Sequence, residues 1–564
     1  MRHILCAVLM LFPMISCAPS RDYVFADLVV LNGKIRTLSD QHEEVEAVAV
    51  RGPRIFAVGR DAELEKLIGP KTQIVDAAGR VVLPGFIDTH MHPRPAFDEM
   101  GPFGWLDLRP EGGVTSRATL IEKLRAKLNL TPAGTLVIGF GYNDNLVDGH
   151  PAANVLDPLS PDHLVVLLHS SGHRSVANTP AMNAAGITDE TPNPPGGEIV
   201  RDQSGRATGE FLERIPEMGS LLARLPQADE PATQEAFQRE FRMFARHGIT
   251  SIADAGVTPE KLNQYRSIIA DGMPIRIFAM VSDSHLDWLV ANRVTSEWAS
   301  SPIKIDAIKL FHGNSLSGRT AWLYEPYTHD PDYYGIPPGR SQKDLDALVQ
   351  RIHDAGLQLA IHANGDREID MVLEAIENAQ AHNPRPDPRH RIEHGSVVNA
   401  RILDRMLAAN VSLAPHSYVL NHGEKMEEYG EQRWNWMHAN KSALDLGIPV
   451  GGNSDHGVSP PNVMERVQSM VTRRARSNGK VYGAAQRVTV HEALWIWTMG
   501  SATLQHEEQE KGSLAPGKLA DIIILGADPF TADPEALHSI TVDITIIGGR
   551  VVYDRAKKEA PYAW

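Results

Sequence analysis

Cysteine is nearly absent from this chain. Two occur in 564 residues, at positions 6 and 17, so a disulfide scaffold is excluded. Positive charge is short as well: 55 Lys+Arg face 70 Asp+Glu, a net charge of −15. A general polyanion binder needs clustered Lys and Arg to neutralise phosphates, so nucleic acid is excluded as the partner. Long apolar runs are also missing; the stretch Ile4 to Ile15 is too short to span a bilayer and no other is longer and as apolar. No fixed-period repeat or low-complexity tract occurs. What remains is ordinary for a globular protein, with 42% hydrophobic and 22% charged residues. The length predicts three or four domains at roughly 150 residues each, or one α/β barrel with insertions. The 24 histidines stand out, because imidazole is both a common metal ligand and an acid–base group near neutral pH.

The N-terminus reads as an address. Arg2 and His3 form a basic start, Ile4 to Ile15 an apolar core, and Ser16-Cys17 with Ala18-Pro19-Ser20 a small and polar end. This resembles a bacterial lipoprotein signal, cut before Cys17 to leave that residue as a lipid anchor. Met14 stands where such signals usually carry Leu, and a plain secretory signal cut nearby is the alternative. Either way the sequence predicts export, to the periplasm or to the outer membrane, with no membrane contact beyond the anchor. The mature domain would then hold no other cysteine, so a metal site must use nitrogen and oxygen donors.

Residues 26–83 read as short strands, with an Asn32-Gly33 turn between two of them. The far end repeats this style at 520–525 and 544–552. Both ends therefore predict one small β domain, 22–83 with 505–564, and the middle, 84–504, is inserted in it. That middle alternates short apolar runs with helical patterns, the signature of a parallel sheet. Runs at 249–254, 305–311, 357–362, 411–414 and 449–452 are the strands, and Asp254, His362 and Asp455 stand at or just past their C-terminal ends. In an α/β barrel that end is where chemistry is built. A Pro- and Gly-rich stretch at about 98–235 reads as an insertion after the first barrel strand.

The most informative segment is Val81 to Pro93, where His90 and His92 follow an apolar strand and Pro84-Gly85-Phe86-Ile87-Asp88-Thr89. Two histidines one residue apart on an extended strand point to the same side and can grip one cation. With this motif the chain resembles the amidohydrolase superfamily, in the family 3 branch that includes N-substituted formamide deformylases. The likeness runs from about residue 26 to the C-terminus. It is carried by His247 to Gly256, by Ile308-Lys309-Leu310-Phe311, by Ile361-His362-Ala363-Asn364-Gly365-Asp366, by Arg391-Ile392-Glu393-His394-Gly395, by Asn453-Ser454-Asp455, and by Lys511 to Asp521.

The resemblance implies a distorted TIM (β/α)8 barrel inserted into a small β-sandwich built from both chain ends. It also implies the site. His90 and His92 would bind the more buried metal, with Asp455 adding a carboxylate and acting as catalytic base and acid. His362 and His394 would hold a second ion, bridged by Lys309 as a carboxylated lysine; the alternative is an unmodified lysine and one ion. The metal expected is zinc, although nitrogen and oxygen donors serve other divalent ions. Metal coordination brings the pKa of water to about 7, and the implied reaction is attack of that water on a carbonyl carbon.

His173, Arg319 and Trp322 are candidate substrate contacts, with Tyr142 a further pocket candidate. Ser171-Gly172-His173 resembles a block of this branch in which Ser171 replaces an acidic residue. Glu210 lies in a Thr-Gly-Glu segment typical of the branch and receives no role. His163, His169 and His312 read as packing residues. His456 follows Asp455 where the branch often carries Trp-Pro, which predicts an altered pocket wall. The stretch Asn421 to Trp436 reads as a surface helix rather than a lid. The function expected is hydrolysis of an amide or other non-peptide C–N bond of a small molecule. Ester or lactone hydrolysis and isomerisation are alternatives on the same fold, and a non-catalytic metal- or ligand-binding lipoprotein is a third class. A homodimer is a further expectation.

Overall fold

The computed structural model describes residues 25–39, 44–93, 104–213, 215–222, 230–270, 272–273, 275–293, 298 and 301–557. The leader, with Cys6 and Cys17, lies outside the described residues, as do positions 98–103 of the insertion.

The centre is a seven-stranded parallel sheet. In spatial order its strands are Phe86–Met91, Ile249–Val257, Arg276–Ser282, Ile303–Phe311, Gln358–Ala363, Arg391–His394 and Ser412–Pro415. Most of their residues are buried on both faces, as expected when helices cover a parallel sheet. The covering helices show why they form. In Gln342–Asp354 the Ser341 hydroxyl caps the start by accepting from the Asp344 N–H, and Leu345, Val349 and Ile352 recur on the buried face. Asp366–His382 repeats the pattern with Ile369, Val372, Leu373 and Ile376.

The sheet curls into a near-closed barrel through the segment 449–456. On one side the Leu413 N–H donates to Pro449 O at 2.9 Å and the Gly451 N–H donates to Leu413 O at 3.1 Å. On the other, the Thr89 N–H donates to Gly452 O at 2.9 Å and the Asp455 N–H to His90 O at 3.0 Å. This segment makes isolated bridges rather than a continuous strand. Close packing requires glycine here: a Cβ on Gly452 would lie 2.5 Å from the Trp497 ring, and one on Gly451 2.7 Å from Leu504.

Strands from both chain ends meet beside the barrel. Ile522–Leu525 pairs antiparallel with Val81–Pro84 in a six-stranded sheet. A four-stranded sheet of Arg54–Gly59, Ala47–Arg51, Leu28–Leu31 and Gln73–Asp76 shares with it a cluster that includes Leu28, Val48, Val82, Ile522 and Ile524. Between the first two barrel strands, residues 106–213 form a separate six-stranded mixed sheet with its own apolar clusters. Among the described residues no helix is long and apolar enough to cross a membrane.

Candidate metal centre

The first barrel strand carries His90 one residue before its end at Met91, and His92 follows just beyond it. Alternation along the extended chain sends both rings to one side, and their Nε2 atoms lie 3.3 Å apart. Asp455 arrives on the closing segment in a left-handed conformation, φ +52°. Its Oδ1 stands 3.7 Å from His90 Nε2 and 3.5 Å from His92 Nε2. Donor atoms of these three residues all lie within 4.8 Å of one another. Burial raises the Asp455 carboxyl to about 6, although Lys309 and His173 pull it down.

The other expected ligands stand beside them. Lys309, on the fourth strand, puts Nζ 3.3 Å from His90 Nε2. Burial lowers its amine to about 8. His362 stands one residue before the end of the fifth strand and His394 ends the sixth, with ring centroids 4.7 Å apart, and His394 lies 4.7 Å from His90. His394 is held at φ +70°, a conformation that costs about 1–3 kcal/mol for a residue with a side chain. Burial drives His90, His362 and His394 well below the usual imidazole range. They are therefore neutral, the form that offers a lone pair to a metal.

The surroundings orient this set. The His90 Nδ1–H donates to Glu393 Oε2, which leaves Nε2 as the acceptor facing Asp455. Glu393 is itself paired with Arg391, Nε to Oε1 at 2.5 Å, and all three side chains are wholly buried. Asp88 Oδ1 accepts the N–H groups of His90 and Ser454, each at 3.2 Å, and so ties the first strand to the closing segment. Burial pushes the Asp88 carboxyl up to about 7. The sequence motifs contain both Glu393 and Asp88 but single out neither for a role. The residues fit a divalent ion. Two imidazoles, His90 and His92, and a carboxylate converge on one point, and Asp455 Oδ1 is buried without a hydrogen-bond partner.

A cavity open to solvent lies over this centre. His173 lines it, with Nδ1 donating to Glu213 Oε2 at 2.6 Å and its ring 5.0 Å from that of His362. Arg319 and Trp322 are not among the lining residues. Arg319 pairs with Glu428 at 3.3 Å, and the Trp322 ring lies 3.8 Å beneath the Arg367 guanidinium. Tyr142 is buried behind the wall, its hydroxyl 3.0 Å from His150 Nδ1, and Glu210 pairs with Arg174 at 2.5 Å.

Three expectations are corrected. His169 is not a packing residue: it lines the cavity and meets Asp144 Oδ1 at 3.1 Å through Nε2, because the inserted sheet delivers its strand end to the barrel mouth. Residues 421–436 are not a surface helix. Met426, Tyr429 and Trp434 are buried, the Tyr429 hydroxyl donates to Leu316 O at 2.6 Å, and His422 and Lys425 line the cavity. His456 does not form the pocket wall. It turns away to Glu240, Nε2 to Oε1 at 2.9 Å, with its ring edge on Phe244.

A sequence model of the Amidohydrolase family matches residues 73–553. The chain belongs to the amidohydrolase family. This amidohydrolase is 28% identical over 538 residues to YtcJ of Bacillus subtilis (strain 168), covering 93% of this chain and 99% of that one. It is 26% identical over 549 residues to the N-substituted formamide deformylase of Arthrobacter pascens, covering 94% and 98%. Among solved structures it resembles an uncharacterized metal-dependent hydrolase from Pyrococcus horikoshii OT3, with a TM-score of 0.69 at 24% identity over 90% of this chain and 99% of the other. That likeness is one of fold.

Proposed function

We propose that this amidohydrolase is a metal-dependent hydrolase that cleaves an amide or other non-peptide C–N bond of a small molecule. The observation that carries the reading is the convergence of His90, His92 and Asp455 donor atoms within 4.8 Å. Similarity along nearly its full length to a formamide deformylase supports the bond type. A bound divalent ion supplies polarisation of the scissile carbonyl and an acidified water, with a pKa of about 7. His90 and His92 hold that ion, and Glu393 keeps His90 in the tautomer that leaves Nε2 free to bind. Asp455 takes a proton from the attacking water and returns it to the departing nitrogen. His173, fixed by Glu213, donates a hydrogen bond to the substrate carbonyl.

The imidazole-rich donor set favours zinc. His362 and His394 would hold a second ion, with Lys309, carboxylated, as a further oxygen ligand. An amine near 8 is partly neutral at physiological pH, and only the neutral amine adds carbon dioxide, losing one proton as the carbamate forms. The protein is exported with Cys17 as lipid anchor, the paired sheets from the two chain ends form one β-sandwich domain around the inserted barrel, and a homodimer is the assembly expected. The test is turnover of N-formyl and N-acetyl amines by zinc-loaded protein. Hydrolysis is expected, and Asp455→Asn is expected to lower kcat by about 10²- to 10⁴-fold. A folded, metal-loaded protein that turns over none of these amides overturns the reading.

A further inference from the structure

A ladder of rings leads along the cavity wall away from the metal centre. His394 lies 5.9 Å from His416, His416 lies 4.8 Å from Tyr418, and Tyr418 lies 5.1 Å from His438, all between ring centroids. Tyr418 and His438 both line the cavity. The Tyr418 hydroxyl and both ring nitrogens of His438 are buried, and none has a hydrogen-bond partner. A buried polar group left without a partner is costly, so two such side chains side by side at a cavity wall mark a place where a ligand completes the bonding.

The charge behind this wall gives that ligand a sign. Arg473 is fully buried and is held at φ +53°. Its guanidinium donates to main-chain carbonyls, Tyr482 O at 2.8 Å, Met437 O at 3.0 Å and His438 O at 3.2 Å. Among the described residues no carboxylate forms an ion pair with it. Arg466 donates to Ser459 Oγ, a cavity residue, at 2.7 Å. Lys425 completes the cationic rim. Of the acidic groups on that side, Asp144 is engaged by Lys425 at 3.2 Å and by His169, and Glu424, whose field reaches Tyr418, accepts from Ser477 Oγ at 2.8 Å. Burial first, then the field of Arg473, depresses the His438 imidazole, which registers the positive potential at this spot. In a low-dielectric wall such a potential concentrates anions, and it stands out in a chain whose net charge is −15.

We propose that the substrate carries a carboxylate remote from the scissile bond, and that Tyr418 Oη and a ring N–H of His438 bind its two oxygens. Two single donors match a carboxylate, while neither guanidinium is among the lining residues, so the forked grip that phosphate favours is missing. The inference rests on the hydrolase reading and names its substrate class: amides whose acyl or amine part ends in a carboxylate.

The test compares N-acetylated ω-amino acids, whose carboxylate stands several carbons from the amide, with their terminal carboxamides on zinc-loaded enzyme, by turnover and by isothermal titration. The carboxylate member is expected to exceed the carboxamide by about tenfold to a hundredfold in kcat/KM and in affinity, the value of two hydrogen bonds to a charged group. Tyr418→Phe and, separately, His438→Gln are each expected to shrink that ratio by about tenfold. Equal values for the two members overturn the proposal. So does a ratio that both variants leave intact, since the carboxylate is then bound elsewhere, for example by the metals. If no amide is turned over but the affinity ratio and its response to the variants hold, the hydrolase reading fails and the anion subsite stands.

Discussion

Glu393 accepts a hydrogen bond from Nδ1 of His90, and both side chains are completely buried. One carboxylate thereby decides which nitrogen of a metal-facing histidine carries the proton, and Arg391 on its other oxygen keeps it in place. Replacing Glu393 by Gln removes the charge that favours this tautomer and leaves the Arg391 guanidinium buried without its partner. Metal affinity is expected to fall about 10- to 100-fold, and unfolding free energy by about 3 kcal/mol. Competitive metal titration and urea denaturation measure the two; unchanged values in both remove the orienting role.

Lys309 makes a stoichiometric prediction. Wild-type protein purified with zinc and bicarbonate is expected to hold about two ions per chain, and Lys309→Ala about one. Plasma emission spectrometry of the desalted proteins reads this directly. One ion in both proteins excludes a bridging carbamate.

Barrel closure depends on a residue without a side chain. Gly452→Ala would place a methyl 2.5 Å from the Trp497 ring. Overpacking of this kind costs about 1–3 kcal/mol. The midpoint of denaturant unfolding is expected to drop accordingly, and an unchanged midpoint means that the closing segment has slack the packing does not reveal.

His438 sets an acid limit. Burial, reinforced by Arg473, holds its imidazole at about 3, against 6.5 for an unhindered one. The unfolded chain takes up a proton as pH falls from 6.5 toward 3, and the folded protein does not. This contribution to stability is therefore complete above pH 6.5 and is lost as pH falls through that window, at up to about 1.4 kcal/mol per pH unit. His422, held at about 3 chiefly by burial, acts in the same direction. Unfolding measured between pH 7 and pH 4 is expected to show a slope that His438→Gln reduces by about one proton; an equal slope in the two proteins contradicts the assignment.

Cys17 predicts location. In a bacterial host the wild-type protein is expected in the membrane fraction, and Cys17→Ser in the soluble exported fraction. Identical fractionation of the two removes the lipid anchor.

Much of the barrel was legible in the chain because its signals are local. The apolar runs that become Ile249–Val257, Ile303–Phe311 and Gln358–Ala363 are short and bounded by helical periodicity, and alternation alone puts His90 and His92 on one side. Their order along the chain, with Lys309, His362, His394 and Asp455, was readable as a set of motifs. The closing segment was less so. Pro449 to Gly452 is an apolar run like the others, yet it forms single bridges, and its glycines are required by Trp497 and Leu504, about fifty residues further on.

The sequence by itself determined the strand–helix alternation, the histidine pair and the ordered ligand motifs, since each follows from spacing within a few residues. Only the tertiary structure decided which partner each group meets. It turned Glu393 toward His90 and His456 toward Glu240, brought His169 from the inserted sheet and Lys425 from a distant turn to one cavity, and left Tyr418 and His438 without partners beside a buried guanidinium. Those relations join residues dozens to hundreds of positions apart, and burial sets their charge states. Neither separation nor burial is written in any local pattern.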